Sequence, residues 1–295
     1  MLCRLGLGLG LGLGLGLGLG CGRTPLDVFE RDAIEAELDD DDEVPDMVVG
    51  GCPKVDYLFV IDDSASMLIH QQRLVESFEV FIDGVERSQI MLESVHVGVV
   101  STDVYAGNIG SEHDDSCHAL GGLITTTAGY NSSETACGPY AEGHRYMTEL
   151  DELEAVFPCA AQVGTAGSTE ERPLEALTSA VVDLSGPGQC NEGFIRDDAL
   201  LVVVIVTDED DPGPVDFRYD RLVEAKGGHE DNVVMVGLIN ELGTSCPLTG
   251  HTREAPLLTD FIGMFSHSFI APICDDYSVA FQQAVSVVEA ACQDA

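Results

Sequence analysis

The chain has 295 residues and carries 52 acidic side chains against 13 Lys and Arg, a formal net charge of −39. This charge repels nucleic acid and anionic lipid head groups at long range, so we exclude a nucleic-acid function and direct binding to a membrane surface. Roughly the first 50 residues differ in composition from the rest, and the remainder of the chain is long enough for one domain with its own core.

The amino-terminal segment is typical of an export signal. A Leu-Gly alternation runs from Leu5 to Gly20 and is followed by Cys21. This run is shorter than the ~20 apolar residues that span a bilayer, and its glycines weaken a helix. We therefore predict a signal peptide over residues 1–20. The ending Leu19-Gly20-Cys21 resembles a bacterial lipobox, which implies lipidation of Cys21 and a location in the cell envelope; an ordinary secretory signal is the alternative.

Residues 21–51 are acidic, with "ELDDDDEVPD" at their centre. They contain too little apolar periodicity to fold alone, which predicts a flexible tether that holds the domain off a membrane. We expect the folded domain to span residues 52–295.

Ten cysteines are present, and eight remain when Cys3 and Cys21 are set aside with the export signal. The eight are Cys52, Cys117, Cys137, Cys159, Cys190, Cys246, Cys274 and Cys292. An even number in an exported chain predicts four disulfides. Cys52 and Cys292 flank the domain and are the first candidate pair. The next are Cys117 with Cys137 and Cys246 with Cys274, since each would close a local loop.

The domain alternates strand-like and helix-like segments. Apolar runs predict strands over residues 55–61, 95–101, 199–207, 232–239 and 268–273. Apolar stripes at helical spacing predict helices over residues 68–85, 171–184, 215–225, 255–265 and 278–291. Strands that are separated by single helices can be parallel only through crossover connections. The pattern therefore predicts an α/β fold with a doubly wound, mostly parallel open sheet flanked by helices.

One segment interrupts this alternation. Residues 104–147 are rich in Gly, Ser, Thr and Asp and include Cys117 and Cys137. They predict an insertion that is braced by disulfides. Its β-branched run "LITTTAG" is a candidate antiparallel edge strand.

The stretch "YLFVIDDSASM", residues 57–67, joins a buried strand to polar side chains. Alternation in the turn aims Asp62, Ser64 and Ser66 at one point, whereas Asp63 and Ala65 face elsewhere. A carboxylate and two hydroxyls are hard oxygen ligands that suit Mg²⁺ or Mn²⁺ better than zinc or copper. The same residue types are also favoured at helix N-caps, so the isolated motif has a second interpretation.

A second acid ends the next long apolar strand, in "VVVIVTDEDDPG". If these two strands are neighbours in the sheet, Asp208 lies beside Asp62, and the two like charges repel unless a cation joins them. The other acids of this run, and those of "DDDD" in residues 39–42, are expected to be solvated.

The chain resembles the von Willebrand factor type A domain with its metal-ion-dependent adhesion site. Three features carry the resemblance: the order of strands and helices, the DxSxS motif after the first strand, and Thr-Asp after the fourth. The resemblance covers Val55 to about Cys292. It implies a bound Mg²⁺ or Mn²⁺ and a third hydroxyl from a middle loop, here "GTAGSTEERPLEAL", where Thr169 is the candidate and Thr165 the fallback. The ligand set that it implies is Asp62, Ser64, Ser66, Thr169 and Asp208.

This resemblance implies an extracytoplasmic, metal-dependent adhesion module rather than an enzyme. The metal would keep one coordination position open for a carboxylate of a partner protein, and would supply the positive charge that this acidic chain lacks. The alternatives are a structural envelope lipoprotein with a vestigial site and a metal-dependent hydrolase. Haloacid dehalogenase-type hydrolases need an Asp where this chain has Ser64, and no GxSxG, Walker or HExxH motif occurs.

Overall fold

The computed structural model of the chain describes residues 51–87, 92–103, 117–240, 243 and 253–294. The predicted signal peptide, Cys21 and residues 22–50 of the predicted tether lie outside these residues, as does Cys246. Within the described ranges, no helix has both the length and the apolar character needed to cross a membrane.

The described strands form one six-stranded sheet in the order β3-β2-β1-β4-β5-β6. They are β1 (Lys54–Ile61), β2 (Ser94–Ser101), β3 (Met147–Thr148), β4 (Leu200–Val206), β5 (Val233–Ile239) and β6 (His267–Pro272). All neighbouring pairs are parallel except β2 and β3. The predicted α/β class with a mostly parallel open sheet is confirmed. The strand order reverses between β1 and β4, and in open α/β sheets ligands bind at such a point.

Helices cover both faces of the sheet. They are α1 (Leu68–Arg87), α2 (Leu153–Ala161), α3 (Pro173–Thr178), α4 (Val215–Ala225), α5 (Pro256–Ile262) and α6 (Tyr277–Asp294). Helices α1, α2 and α6 pack on one face, and α3, α4 and α5 pack on the other. The short helix α2 was not predicted from the sequence. Helix α3 continues into a π-helical turn over Ser179–Asp183.

Strand β1 lies at the centre of two hydrophobic cores. Its residues alternate between them, with Tyr57 and Phe59 in the core beneath α1 and Leu58 and Val60 in the core beneath α3. Both faces of the strand are buried, which explains why its apolar run is continuous and does not alternate with polar residues. Burying the apolar side chains of Leu58, Phe59 and Val60 stabilises the fold by about 1.5–3 kcal/mol each.

The antiparallel edge strand is β3, at the end of the predicted insertion, and the prediction that "LITTTAG" (residues 123–129) forms it is wrong. Of those residues, Thr126 makes an isolated bridge with Ala136. The backbone N–H groups of Cys137 and Gly138 both donate to the carbonyl oxygen of Thr125, at 2.7 and 2.9 Å. These bonds pair the run with residues 136–138 of the same insertion. They also use the Thr125 carbonyl oxygen, which an edge strand would need for pairing with β2.

Three disulfides join described residues, and they correct part of the predicted pairing. Cys52–Cys292 is confirmed, with its Cα atoms 5.2 Å apart. The predicted Cys117–Cys137 pair is wrong, because Cys117 bonds to Cys190 and Cys137 bonds to Cys159. Cys274 is also disulfide-bonded, and its predicted pairing with Cys246 stays a prediction. Disulfides of this kind are typical of an oxidising compartment.

Tertiary contacts explain the exchange of partners. The side chain of Asn191, next to Cys190, accepts a hydrogen bond from the Leu123 N–H at 3.0 Å and donates to the Gly121 oxygen at 2.8 Å. These bonds hold the segment after Cys117 against the segment around Cys190. The insertion is therefore braced to the body of the domain, whereas the predicted pair would have braced it to itself.

Candidate metal centre

The polar residues after β1 and β4 lie at the point where the strand order reverses. The two strands are parallel neighbours, and Ile61 pairs with Val206 at their carboxyl ends. The backbone N–H of Asp62 donates to the Val206 carbonyl at 3.0 Å, which extends the pairing to the first residue of the turn. Asp62 and Asp208 therefore emerge at the same edge, as predicted for neighbouring strands.

The two serines link the turn after β1 to Asp208. The hydroxyl oxygens of Ser64 and Ser66 lie 3.1 Å apart, and the Ser66 hydroxyl donates to Asp208 Oδ1 at 3.0 Å. The backbone N–H of Ser64 donates to Asp62 Oδ1 at 2.7 Å. Four of the residues predicted as ligands, Asp62, Ser64, Ser66 and Asp208, are thus brought into one hydrogen-bonded cluster.

Two neutral side chains that the sequence analysis missed hold Asp62 in place. The Thr207 hydroxyl donates to Asp62 Oδ2 at 2.6 Å. The buried amide of Gln71 donates to the carbonyl oxygens of Asp62 and Gly164, at 2.9 and 2.7 Å, and accepts from the Gly164 N–H at 3.2 Å. Gln71 therefore ties the turn after β1 to the loop that precedes α3. The sequence signal that could have indicated this role is weak: a single polar Gln in the first turn of α1, close after the DxSxS motif.

Asp62 and Asp208 are both buried, and their surroundings disfavour the charged form. Burial, opposed by the hydrogen bonds from Thr207 and Ser64 and reinforced by the negative charge of Asp208, raises the pKa of Asp62 to about 7. Burial raises the pKa of Asp208 to about 6, although the bond from Ser66 opposes the rise. The exposed guanidinium of Arg253 also acts on Asp208, but it lies 3.7 Å from a carboxylate oxygen of Glu209 and pairs with that acid.

Two further buried acids, Asp63 and Glu171, border the cluster. No hydrogen bond among the described residues joins the Asp63 side chain to Ser64 or Ser66. Ser101 and Asp103 lie near it, and burial raises the pKa of Asp63 to about 7. Burial, followed by the negative charge of Asp62, raises the pKa of Glu171 to about 10. Glu171 was missed as a site residue. The sequence signal for it is its place directly before the Arg172-Pro173 start of α3, in the loop already predicted to face the site.

The backbone of this loop lies close against Asp63. The Gly167 N–H donates to the Asp63 carbonyl at 3.0 Å. A Cβ atom at position 167 would lie 2.1 Å from Asp63 Oδ1, so only glycine permits this approach. The contact holds this part of the loop against the turn that follows β1.

The two threonines predicted to supply the third hydroxyl are placed elsewhere on the loop. Thr169 is exposed. Thr165 is buried, but its hydroxyl accepts a hydrogen bond from Asn131 Nδ2 at 2.7 Å and lies 3.4 Å from the Tyr130 carbonyl. No hydrogen bond among the described residues joins either hydroxyl to the serines or to Asp208.

The acids that come after Asp208 are not the solvated residues that the sequence analysis expected. Asp210 accepts hydrogen bonds from the backbone N–H groups of Leu257 and Leu258 at the start of α5, at 3.1 and 3.0 Å. Asp211 is buried; it accepts from the Leu174 N–H in α3 and pairs with Arg218. Both therefore bind the N-terminal turns of helices, where N–H groups have no intrahelical partner.

The cluster fits a divalent cation with oxygen ligands. Asp208 Oδ2 is buried and has no hydrogen-bond partner in the described structure, and the same holds for Asp63 Oδ1. An unpaired buried carboxylate oxygen is costly unless a cation or a donor meets it. No three His, Cys, Asp or Glu side chains of the described ranges converge closely enough to hold an ion by themselves. The Ser64 and Ser66 hydroxyls supply further oxygen atoms beside Asp208, and hydroxyl and carboxylate oxygens suit Mg²⁺ and Mn²⁺.

No protein-family model and no curated protein matches the chain. Two solved structures of proximal thread matrix protein 1 from the mussel byssus do match. One, in crystal form 2, gives a TM-score of 0.43 at 10% identity and covers 81% of this chain and 49% of that one. The other gives a TM-score of 0.41 at 15% identity and covers 82% and 47%. The chain thus matches about half the length of those proteins.

Proposed function

We propose that this chain is an exported binding protein, not an enzyme, whose domain is of the von Willebrand factor A type and holds Mg²⁺ or Mn²⁺ at the carboxyl edge of its sheet. The observation that carries the proposal is the buried, unpartnered Oδ2 of Asp208 beside the Ser64 and Ser66 hydroxyls, at the reversal of strand order. Asp62 completes the cluster from the neighbouring strand.

The residues of the cluster have separable tasks in this proposal. Ser64 and Ser66 offer neutral oxygens, and Asp208 offers a free carboxylate oxygen that the cation would neutralise. Asp62 orients the turn by accepting the Ser64 N–H. The bound cation would supply the positive charge that lets this acidic protein accept a carboxylate from a partner protein.

The surface beside the cluster suits a protein partner. Ser66 is only half buried, so the cluster reaches the surface on that side. Leu68 and Ile69 follow Ser66 by two and three residues, and both are exposed, at 38% and 40%. In the proposal, these two side chains would give a partner protein apolar contact area around the metal-bound carboxylate.

Metal binding is tested by calorimetric titration of the purified chain with Mg²⁺ or Mn²⁺. We expect saturable binding that Asp208→Ala abolishes. Glu170→Ala is the matched control, because it removes an equal charge from the exposed part of the nearby loop and should leave binding unchanged. If neither cation binds the wild-type chain, the proposal is wrong and a structural envelope protein with a vestigial site becomes the better interpretation.

The partner is tested by affinity capture from envelope extract in Mg²⁺, with subsequent elution by a chelator. Proteins that wild type retains and Asp208→Ala does not retain would support carboxylate recognition through the metal. Proteins retained equally by both would show that binding does not use this site.

The proposed location in the envelope includes a lipid anchor on Cys21. The disulfides indicate an oxidising compartment, and the anchor is the further step. Labelled fatty acid should be incorporated into the wild-type chain and not into Cys21→Ser. Equal labelling of both would remove the anchor from the proposal and leave the metal site untouched.

A further inference from the structure

Glu171 is a buried acid to which the proposed ligand set gives no task. It lies directly before α3 and is 2% exposed. The Thr102 hydroxyl donates to its Oε2 atom. Its Oε1 atom is buried and has no hydrogen-bond partner in the described structure. Half of this carboxylate is therefore shielded from water without any compensating donor, which is costly for a charged group.

Backbone contacts hold Glu171 at the same edge of the sheet as the serines. The Arg172 N–H donates to the Thr102 carbonyl at 2.9 Å, just after β2 ends. Gln71 ties the start of the same loop to Asp62 through its bonds to Gly164. The position of Glu171 is thus fixed from both ends of the loop, and its burial does not depend on a flexible side chain that happens to fold inward.

The charges around Glu171 are negative. Asp62 is the acid that acts on it most strongly, with Asp63 and Asp103 next. The adjacent guanidinium of Arg172 is directed to Glu170 and Glu175, at 3.2 and 3.6 Å, and does not meet the Glu171 carboxylate. The negative charge of Asp62 thus acts on Glu171, and that of Asp208 acts on Asp62. Such an arrangement of like charges calls for a cation.

We propose that Glu171 is a further ligand of the cation, acting through Oε1, and that it takes the place in this loop that the sequence analysis gave to Thr169. The inference rests on the proposed metal site. It changes the chemistry of that site, because the unpartnered Oε1 of Glu171 adds a second carboxylate oxygen to the Oδ2 of Asp208. Ca²⁺ takes six to eight oxygen ligands, whereas Mg²⁺ retains several waters and needs few carboxylates. Loss of Glu171 should therefore weaken Ca²⁺ binding more than Mg²⁺ binding.

The test compares Glu171→Gln with Thr169→Ala by calorimetric titration of each full chain with Mg²⁺ and, separately, with Ca²⁺. Gln has nearly the same shape as Glu, and its amide oxygen can still accept from Thr102. We expect the Kd for Ca²⁺ to rise at least roughly tenfold in Glu171→Gln, with a smaller rise for Mg²⁺. Thr169→Ala removes an exposed hydroxyl of the same loop and should leave both values unchanged.

Each outcome decides a separate question. If wild type binds a cation and Glu171→Gln binds it equally well, the role of Glu171 is overturned and the proposed function stands. If Thr169→Ala weakens binding and Glu171→Gln does not, the threonine is the ligand. If wild type binds no cation, both proposals fall. Should Glu171→Gln not fold, Glu171→Asp keeps the charge but withdraws it by one methylene, and it too should weaken binding; unchanged binding would overturn the inference.

Discussion

Strand β1 carries one buried acid near its beginning and another just beyond its end, and their surroundings differ. Asp56, near the beginning, is fully buried against Arg196. The backbone N–H and the Nε atom of Arg196 each donate to its carboxylate at 2.8 Å. Lys226 lies close by and binds the carbonyl oxygens of Arg196 and Ala199, at 2.6 and 2.7 Å. Burial still raises the pKa of Asp56 to about 6, because the nearby cations offset only part of the cost of desolvation.

At the other end of the strand, the Asp62 carboxylate accepts hydrogen bonds from neutral donors, among them the Ser64 N–H and the Thr207 hydroxyl. Its charged neighbours are acids, foremost Asp208. Asp56 is thus paired with a cationic side chain of the same protein, whereas the charged neighbours of Asp62 are further acids. The contrast indicates that the first site is structural and that the second is built for a cation from solution.

The largest expected effect is on stability, from removal of the Arg196 side chain that pairs with Asp56. Arg196→Ala should lower the free energy of unfolding by about 3–5 kcal/mol, because it leaves a buried carboxylate unpaired. Urea unfolding in the presence of a chelator measures this. Lys54→Ala, which breaks an exposed pair with Asp198, is the control and should cost far less, because exposed ion pairs contribute little. If the two variants lose equal stability, Asp56 and Arg196 do not form a structural pair.

The next effect is gain of stability from added metal. A ligand at a hundred times its Kd raises the free energy of unfolding by about 2.7 kcal/mol. We expect Mg²⁺ to give this increment to wild type and none to Asp208→Ala. Arg196→Ala should retain the full increment, since distant sites contribute additively. If Arg196→Ala lost the increment and Asp208→Ala kept it, the metal would bind near Asp56 at the start of β1 and not near Asp62 at its end.

A smaller effect concerns pH in the absence of metal. The pKa of Asp208 rises from its usual 3.8 to about 6 on folding, so the folded state holds more protons over this range and stability falls as pH rises from about 4 to 6. We expect the difference in unfolding free energy, wild type minus Asp208→Asn, to fall over that range and to level off only above about pH 7, where Asp62, which Asp208 repels, has also ionised.

Taking this difference cancels the contributions of groups that do not interact with Asp208. His70 and His96, whose pKa values burial lowers to about 4, act in the opposite direction and are present in both proteins. Saturating Mg²⁺ should abolish the fall, because a bound cation keeps Asp208 ionised. If the difference in unfolding free energy did not change with pH in the presence of a chelator, the raised pKa of Asp208 would be contradicted.

The smallest effect separates the structural acids of the "TDEDD" run from Asp208. Asp210→Ala should cost about 1 kcal/mol through loss of the N-terminal cap of α5, with or without Mg²⁺. Asp260→Ala removes an exposed acid from the same helix and should change stability by less than about 0.5 kcal/mol. Thermal unfolding at both metal concentrations checks this. A cost for Asp210→Ala that depends on Mg²⁺ would assign Asp210 to the metal site.

Much of the fold could be predicted because its signals are local. Five of the strands coincide with continuous apolar runs, and α1 and α6 are predicted by apolar residues at helical spacing. Helix α2 could not be predicted in this way, because it is short and contains Pro158. Strand β3 has two residues, and its identity depends on pairing with β2 rather than on its own composition.

The candidate site was predictable to the extent that its residues lie at strand ends. Asp62, Ser64, Ser66 and Asp208 each lie within a few residues of a buried strand, and parallel connections bring those ends to one edge. Glu171 was not predictable on this basis. Thr169 and Glu171 share one loop, and which of them turns inward depends on the contact between Gly167 and Asp63 and on the bonds to Thr102.

The sequence by itself determined the alternation of strands and helices, the parallel sheet and the two acidic turns at its edge, because apolar periodicity acts within one element and crossover connections leave few topologies. Only the tertiary structure decided that β1 and β4 are neighbours, that Cys117 joins Cys190, that Asp210 and Asp211 bind helix N-termini, and that Glu171 is buried beside Asp62. Each of these depends on segments far apart in the chain whose hydrogen bonds are satisfied together, and no local pattern records which distant backbone a side chain will meet.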